Sequence, residues 1–334
     1  MKHNLNHHFI QKAFVKNFSN NEIVKWQKYK TNEHGEFNID DFAKNQPIAI
    51  KNYYSVDLEI KIGDLENDGI NIIKKIIKLI YQHRNKINLT RKELITLKYY
   101  FLLSIIRSTK IRNDIKNRNN SSSFNKIIDN EGKNEIEIQE KIMNLIMDSY
   151  IKCKKNDYKI EFENYSLEEI INIDNLNDFY NIKMFNIMQS RLNIIKFNSK
   201  KLLLTEICNF TEFNKTHPQS VKLYFFPIAP DIGLCFYFFP HIYKMNPELA
   251  EKSFIFQNNV HKYNNEQRYM NNINELHKNN LFIYDVLMEN DDVQNFCNAM
   301  LLVHNENQIL IYQNEEDILE AEKEIIDNKI YRVN

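Results

Sequence analysis

Between Leu65 and Tyr81 the apolar positions recur at Leu65, Gly69, Ile72, Ile73, Ile76, Ile77 and Ile80, with Lys74, Lys75 and Lys78 on the opposite side. That spacing predicts an amphipathic helix. A second helix opens at Thr90-Arg91-Lys92-Glu93, a capping box, and runs through Leu94, Leu97, Phe101, Leu102 and Ile105 to Arg107. The polar run 117–132, with Asn119-Asn120-Ser121-Ser122-Ser123, reads as a flexible loop. Helical spacing returns over Ile136 to Ile151 and after a second capping box at Ser166–Glu169, and Met184 to Ile195 continues it.

Strand patterns flank this helical middle. Glu22 to Lys30 predicts a strand, Asn32–Gly35 a turn, Glu36 to Ile39 its returning partner and Ile48 to Val56 another extended piece. From Ile194 onward the period is again that of strands: Ile194–Phe197, Lys201–Thr205, Val221–Pro227 and Ile232–Phe239. Asp291 to Asn334 reads as a helix bearing Val293, Phe296, Met300 and Leu301, a strand at Ile309–Tyr312, and an acidic helix over Glu315–Ile326. The expected fold class is α+β: a mainly helical middle with a mixed, mostly antiparallel sheet built from N-terminal and C-terminal strands.

Leu223 to Tyr243 is apolar and nearly long enough to span a bilayer, but Pro227, Pro230, Asp231, Gly233 and Pro240 interrupt it. Two buried strands meeting at Pro230–Gly233 fit better, so no membrane association is expected. The first residues lack the apolar core of a signal peptide. Cys153, Cys208, Cys235 and Cys297 form no CxxC pair, which fits reduced thiols and a cytoplasmic location. Basic and acidic residues balance at 44 each, so no global field draws nucleic acid or anionic lipid, although a local basic patch stays open. Asparagine and isoleucine are abundant against 5 glycines and 6 prolines, a usage that fits an AT-rich prokaryotic or phage genome.

The densest candidate chemistry is His7-His8-Phe9-Ile10-Gln11-Lys12-Ala13-Phe14-Val15-Lys16-Asn17-Phe18. Ile10, Ala13, Phe14 and Phe18 fall at helical spacing. In a helix, His3 and His7 would share a face, as a two-histidine metal site requires. The alternative is that one histidine caps the fold and the other faces solvent. This stretch resembles the N-terminal signature of the bacterial domain of unknown function 4238. Tyr53-Tyr54-Ser55 and Arg107-Ser108-Thr109-Lys110-Ile111-Arg112 resemble later signatures of the same family. So do Phe226-Pro227-Ile228-Ala229-Pro230 and residues 268–285, with Asn271 near a helix start and Leu281–Tyr284 as a strand. The resemblance covers about residues 5–285. It implies one domain over residues 1–290, leaving 291–334 as a C-terminal extension.

The family has no agreed activity, so the resemblance locates a site better than a reaction. It nominates His7 and His8 as base or ligand, with Glu206 as acid in place of the family's usual aspartate. Arg107, Arg112 and Asn271 are the substrate-binding candidates. Arg107 also admits a structural reading, neutralising a helix end or pairing with Glu66. No Walker loop, dinucleotide fingerprint, HExxH, kinase signature or GxSxG elbow is present. The expected function is hydrolysis of the nuclease-like, phosphodiesterase kind, in a prokaryotic defence or toxin effector. Nucleic acid or nucleotide would be the partner and a divalent metal ion an optional cofactor. The competing reading is a non-catalytic binding or regulatory protein with a degenerate site. It draws on the missing proline after His-His and the decayed Asp-Asn-Pro element near Leu204–Asn209. The sequence carries no signal for oligomeric state.

Overall fold

The computed structural model describes residues 6–8, 12–44, 49–51, 54–116, 134–159, 184, 187–188, 190–205, 209–212, 221–238, 278–304 and 308–327. Its helices are α1 (Lys12–Asn17), α2 (Val56–Tyr81), α3 (Arg91–Arg107), α4 (Thr109–Lys116), α5 (Glu135–Lys155), α6 (Asp291–His304) and α7 (Glu315–Asp327). The strands before residue 200 are β1 (Asn6–His8), β2 (Ile23–Lys28), β3 (His34–Asn38), β4 (Ala49–Lys51), β5 (Lys86–Thr90) and β6 (Arg191–Phe197). Beyond it lie β7 (Leu204–Thr205), β8 (Asn209–Glu212), β9 (Val221–Ala229), β10 (Ile232–Phe238), β11 (Leu281–Glu289) and β12 (Ile309–Tyr312).

A six-stranded sheet runs β5-β11-β6-β10-β9-β8, antiparallel except for the parallel pair β11–β6. A four-stranded antiparallel sheet runs β3-β2-β12-β7, and among the described residues β1 and β4 form a separate pair. Helices in the middle and sheets built from both ends make the fold α+β.

Pleating of the central strands sorts their side chains into two cores. Leu192, Ile194, Tyr224, Phe226, Ile228, Ile232, Leu234 and Phe236 face α2, α3 and α5. The intervening Ile195, Phe197, Phe225 and Cys235 face α1, α6 and the four-stranded sheet. Burial on both faces is why β9 and β10 read as a continuous apolar run. They form the expected hairpin, with Ile232 opposite Ala229. Its turn is buried: Asp231 is 2% exposed, pairs with Lys196 and accepts from the Tyr81 hydroxyl at 2.8 Å. No described helix is long and apolar enough to cross a membrane.

The segment from residue 291, set apart in sequence, is sewn into this framework. β12 is hydrogen-bonded on both sides, to β2 and β7. Its Ile309 and Ile311 enter the second core, while Leu310 and Tyr312 meet Ile318 and Ala321 of α7.

Four elements depart from the local pattern, each because of a distant partner. Helix α2 starts at Val56 rather than near Leu65, since Leu58 and Ile62 extend its buried face. Strand β5, short and half polar, joins β11 and ends at Thr90, whose hydroxyl and backbone then form the expected capping box with Glu93. Helical structure stops at Met188 and β6 begins at Arg191. The fully buried ammonium of Lys98 holds the carbonyls of Ile187, Met188 and Ser190 at 3.0, 2.8 and 2.6 Å, closing that helix end. The strand expected over Lys201–Thr205 is only Leu204–Thr205. Upstream, Gln294 and Asn298 of α6 take the backbone groups of Ser199, Lys201 and Leu203. The loop read at 117–132 and the capping box at Ser166–Glu169 lie outside the described residues.

Candidate functional site

The chain passes from β4 into α2 through Tyr54 and Ser55, and separated parts of the sequence meet there. The Tyr54 ring lies 5.9 Å from the guanidinium carbon of Arg107, the last residue of α3. Arg107 Nη1 donates to Glu66 Oε1 at 2.5 Å, and Nη2 stands 3.6 Å from Glu59 Oε1. Glu59 and Glu66 are seven residues apart on α2, about two turns, so both reach the same guanidinium. Burial works against the Arg107 charge, but Glu66 and then Glu59 more than offset it and hold the group above its ordinary range. Arg107 is 5% exposed, whereas the two carboxylates keep a solvent-facing edge.

Helix α5 braces both sides of this cluster. Gln139, fully buried, donates from Nε2 to the carbonyls of Ile106 (2.6 Å) and Ser108 (3.2 Å), flanking Arg107. Its neighbour Glu140 accepts from the Ser55 N–H at 3.2 Å and from the Ser55 hydroxyl. Ser55 is the N-cap residue of α2, yet its side chain makes no capping bond to that helix. Beyond Arg107, the Ser108 hydroxyl donates to Ile105 O at 2.7 Å, and the Thr109 hydroxyl donates to Gln308, just ahead of β12.

The histidine pair lies on the strand that pairs with β4, upstream of Tyr54. His7 lies opposite Ile50 and His8 opposite Ala49 in the β1–β4 ladder. Ile50 precedes Tyr54 by four residues, at most about 14 Å of extended chain. His7 and His8 thus belong to a strand and not to a helix that would align His3 with His7. Pairing with β4 displaces the local helical preference.

Arg107 therefore occupies the structural role weighed for it, paired with Glu66. Arg112 lies on α4 with a half-buried side chain, and its N–H donates to Ser108 O at 3.4 Å. Glu206 and Asn271 lie outside the described residues. Among the described residues no three His, Cys, Asp or Glu side chains gather to hold a metal ion. Glu59, Gln139 and Glu140 escaped the sequence reading. The seven-residue step from Glu59 to Glu66 could have flagged the first, whereas nothing local marks the two residues of α5.

The family described as "Protein of unknown function (DUF4238)" matches residues 6–317. No curated protein and no solved structure matches the chain. The match runs from the His-His strand through the Tyr54–Arg107 cluster into α7, and the chain belongs to the DUF4238 family.

Proposed function

We propose that this protein is a hydrolase of the nuclease-like, phosphodiesterase kind, and that it serves as a prokaryotic defence or toxin effector. What supports the reading is that the His-His strand pairs with β4, the strand that precedes Tyr54-Ser55, while Tyr54 lies over Arg107 of α3. In this scheme His7 or His8 supplies the general base. Glu206 supplies the acid, and Glu66, held by Arg107, is a second carboxylate available to the site. Because Arg107 is already neutralised, the charge of a phosphodiester calls for a further cation, which a divalent metal ion would supply.

The second reading, a non-catalytic binding or regulatory protein, is favoured by that same engagement of Arg107. Both of its terminal nitrogens face carboxylates, so the group already has a task in holding α2 to α3.

The test uses purified protein with bis(p-nitrophenyl) phosphate, single-stranded RNA and single- and double-stranded DNA, each with magnesium, manganese or EDTA. Metal-dependent turnover in the wild type that His7→Ala or His8→Ala abolishes would support the hydrolase. Absence of turnover across the panel, or turnover indifferent to both substitutions, would reject it in favour of the second reading. Induced expression adds the biological arm: growth arrest in a bacterial host, relieved by the same substitutions, is the outcome expected of an effector.

A further inference from the structure

We infer that Gln139 and Glu140 are positioning residues of the candidate site: α5 acts as a clamp that sets Tyr54 against Arg107. The inference rests on the locus proposed above. Neither residue belongs to a signature recognised in the sequence, yet each grips one arm of the cluster.

Consecutive helix residues point about 100° apart, so a pair at i and i+1 is suited to hold two different neighbours. Gln139 turns inward and bonds the carbonyls on either side of Arg107, fixing the end of α3. The Ile106 carbonyl lies where α3 has run out of its own donors, and the Ser108 carbonyl, which also accepts from the Arg112 N–H, gains a second bond from the same amide. Glu140 turns toward the entry of α2 and receives both the N–H and the O–H of Ser55. Ser55 is thereby drawn away from capping its own helix, an arrangement that sacrifices a local bond for one across 85 residues of sequence. Tyr54 is next to Ser55, Arg107 lies between the carbonyls held by Gln139, and the guanidinium carbon stands 5.9 Å from the centre of the Tyr54 ring. One rigid turn of α5 thus sets the spacing of the pair.

The experiment compares the wild type with Glu140→Ala and Glu140→Gln. Glutamine keeps an oxygen acceptor for Ser55 and removes the charge. The full chain is labelled with 3-fluorotyrosine, and the Tyr54 resonance is assigned by its loss in Tyr54→Phe. The clamp predicts that Glu140→Ala displaces or broadens the Tyr54 signal and that Glu140→Gln restores it. Where turnover is present, kcat in Glu140→Ala should fall about tenfold or more with KM little changed, and should recover in Glu140→Gln. An unmoved Tyr54 resonance in Glu140→Ala, or no recovery in Glu140→Gln, overturns the inference. Gln139→Glu, which keeps size but removes the amide donor, should shift the same resonance; an unchanged signal also counts against the clamp. A wild type without turnover argues against the hydrolase alone, because the fluorine signal reads positioning with no substrate present.

Discussion

Glu66 and Arg107, 41 positions apart in sequence, form a 2.5 Å ion pair between α2 and α3. The guanidinium is buried and the carboxylate half-buried, so losing one partner leaves the other charge without its counterpart. Arg107→Ala should destabilise the protein by roughly 3 kcal/mol, read from urea unfolding. Arg107→Lys should recover only part of this, because one ammonium cannot span both Glu59 and Glu66. Equal stability of the lysine variant and the wild type would contradict the two-carboxylate geometry.

Two glycines of α2 make a paired test of packing. A Cβ on Gly69 would sit 2.6 Å from the Tyr100 ring, which is itself stacked on Phe14. A Cβ on Gly63 would meet nothing within 4 Å. Gly69→Ala should therefore lose about 1–3 kcal/mol through overpacking, while Gly63→Ala should gain up to about 1 kcal/mol from helix propensity. Thermal melts of the two variants should move in opposite directions.

Lys98 offers a test by pH. Burial first, and the Arg191 charge second, push its ammonium down to about 7. The unfolded chain then binds the extra proton over the interval from about 7 to the ordinary lysine value of 10.5. Stability from this group should rise with pH across that interval, and Lys98→Met should lack the rise. At pH 6.5 the methionine variant also removes the Lys98 donor from the Met188 and Ser190 carbonyls, at about 1–3 kcal/mol per group left unsatisfied, whereas Ile187 O keeps the N–H and hydroxyl of Ser190. Denaturant unfolding of both proteins at pH 6.5 and 9.5 measures the difference.

Asp317 gives the opposite sign. It sits in the first turn of α7, 3% exposed, and burial raises its carboxyl to about 6 despite the Asn314 N–H and Lys201. The folded form holds the proton longer than the unfolded chain, so stability falls as pH rises from about 4 to 6, and the cost is complete above that. Asp317→Asn retains an acceptor for Asn314 and should be more stable than the wild type at pH 7.5 by roughly 1–2 kcal/mol. At pH 3.5 the two should melt together.

What the sequence made legible depended on how local the determining forces were. The α2 stripe, the Thr90–Glu93 capping box, the β9–β10 hairpin and the helix-strand-helix after Asp291 are written in spacings of a few residues, and all are present. The end of helical structure at Met188 was not legible, because an ammonium from α3 enforces it. Nor was the shortened β7, whose upstream backbone is bonded to the side chains of α6. At the candidate site, Arg107 and its bond to Glu66 could be anticipated, since a cation ending an apolar helix needs a counter-charge. The hold of Gln139 and Glu140 depends on where α5 lies in space, which no spacing along the chain records.

The placement of β12 bears on how the protein comes into being. Its four residues fill the gap between β2 and β7, and they are synthesised long after β2 and β3. While the ribosome is still reading the middle of the message, the β2–β3 hairpin has emerged with one side of its ladder open. A nascent chain stalled before residue 309 therefore presents that open edge, with Val24 short of the neighbours it has in the second core. Closure of this sheet waits until β12 has been synthesised, and until then the β2 edge stays open to pairing with other strands.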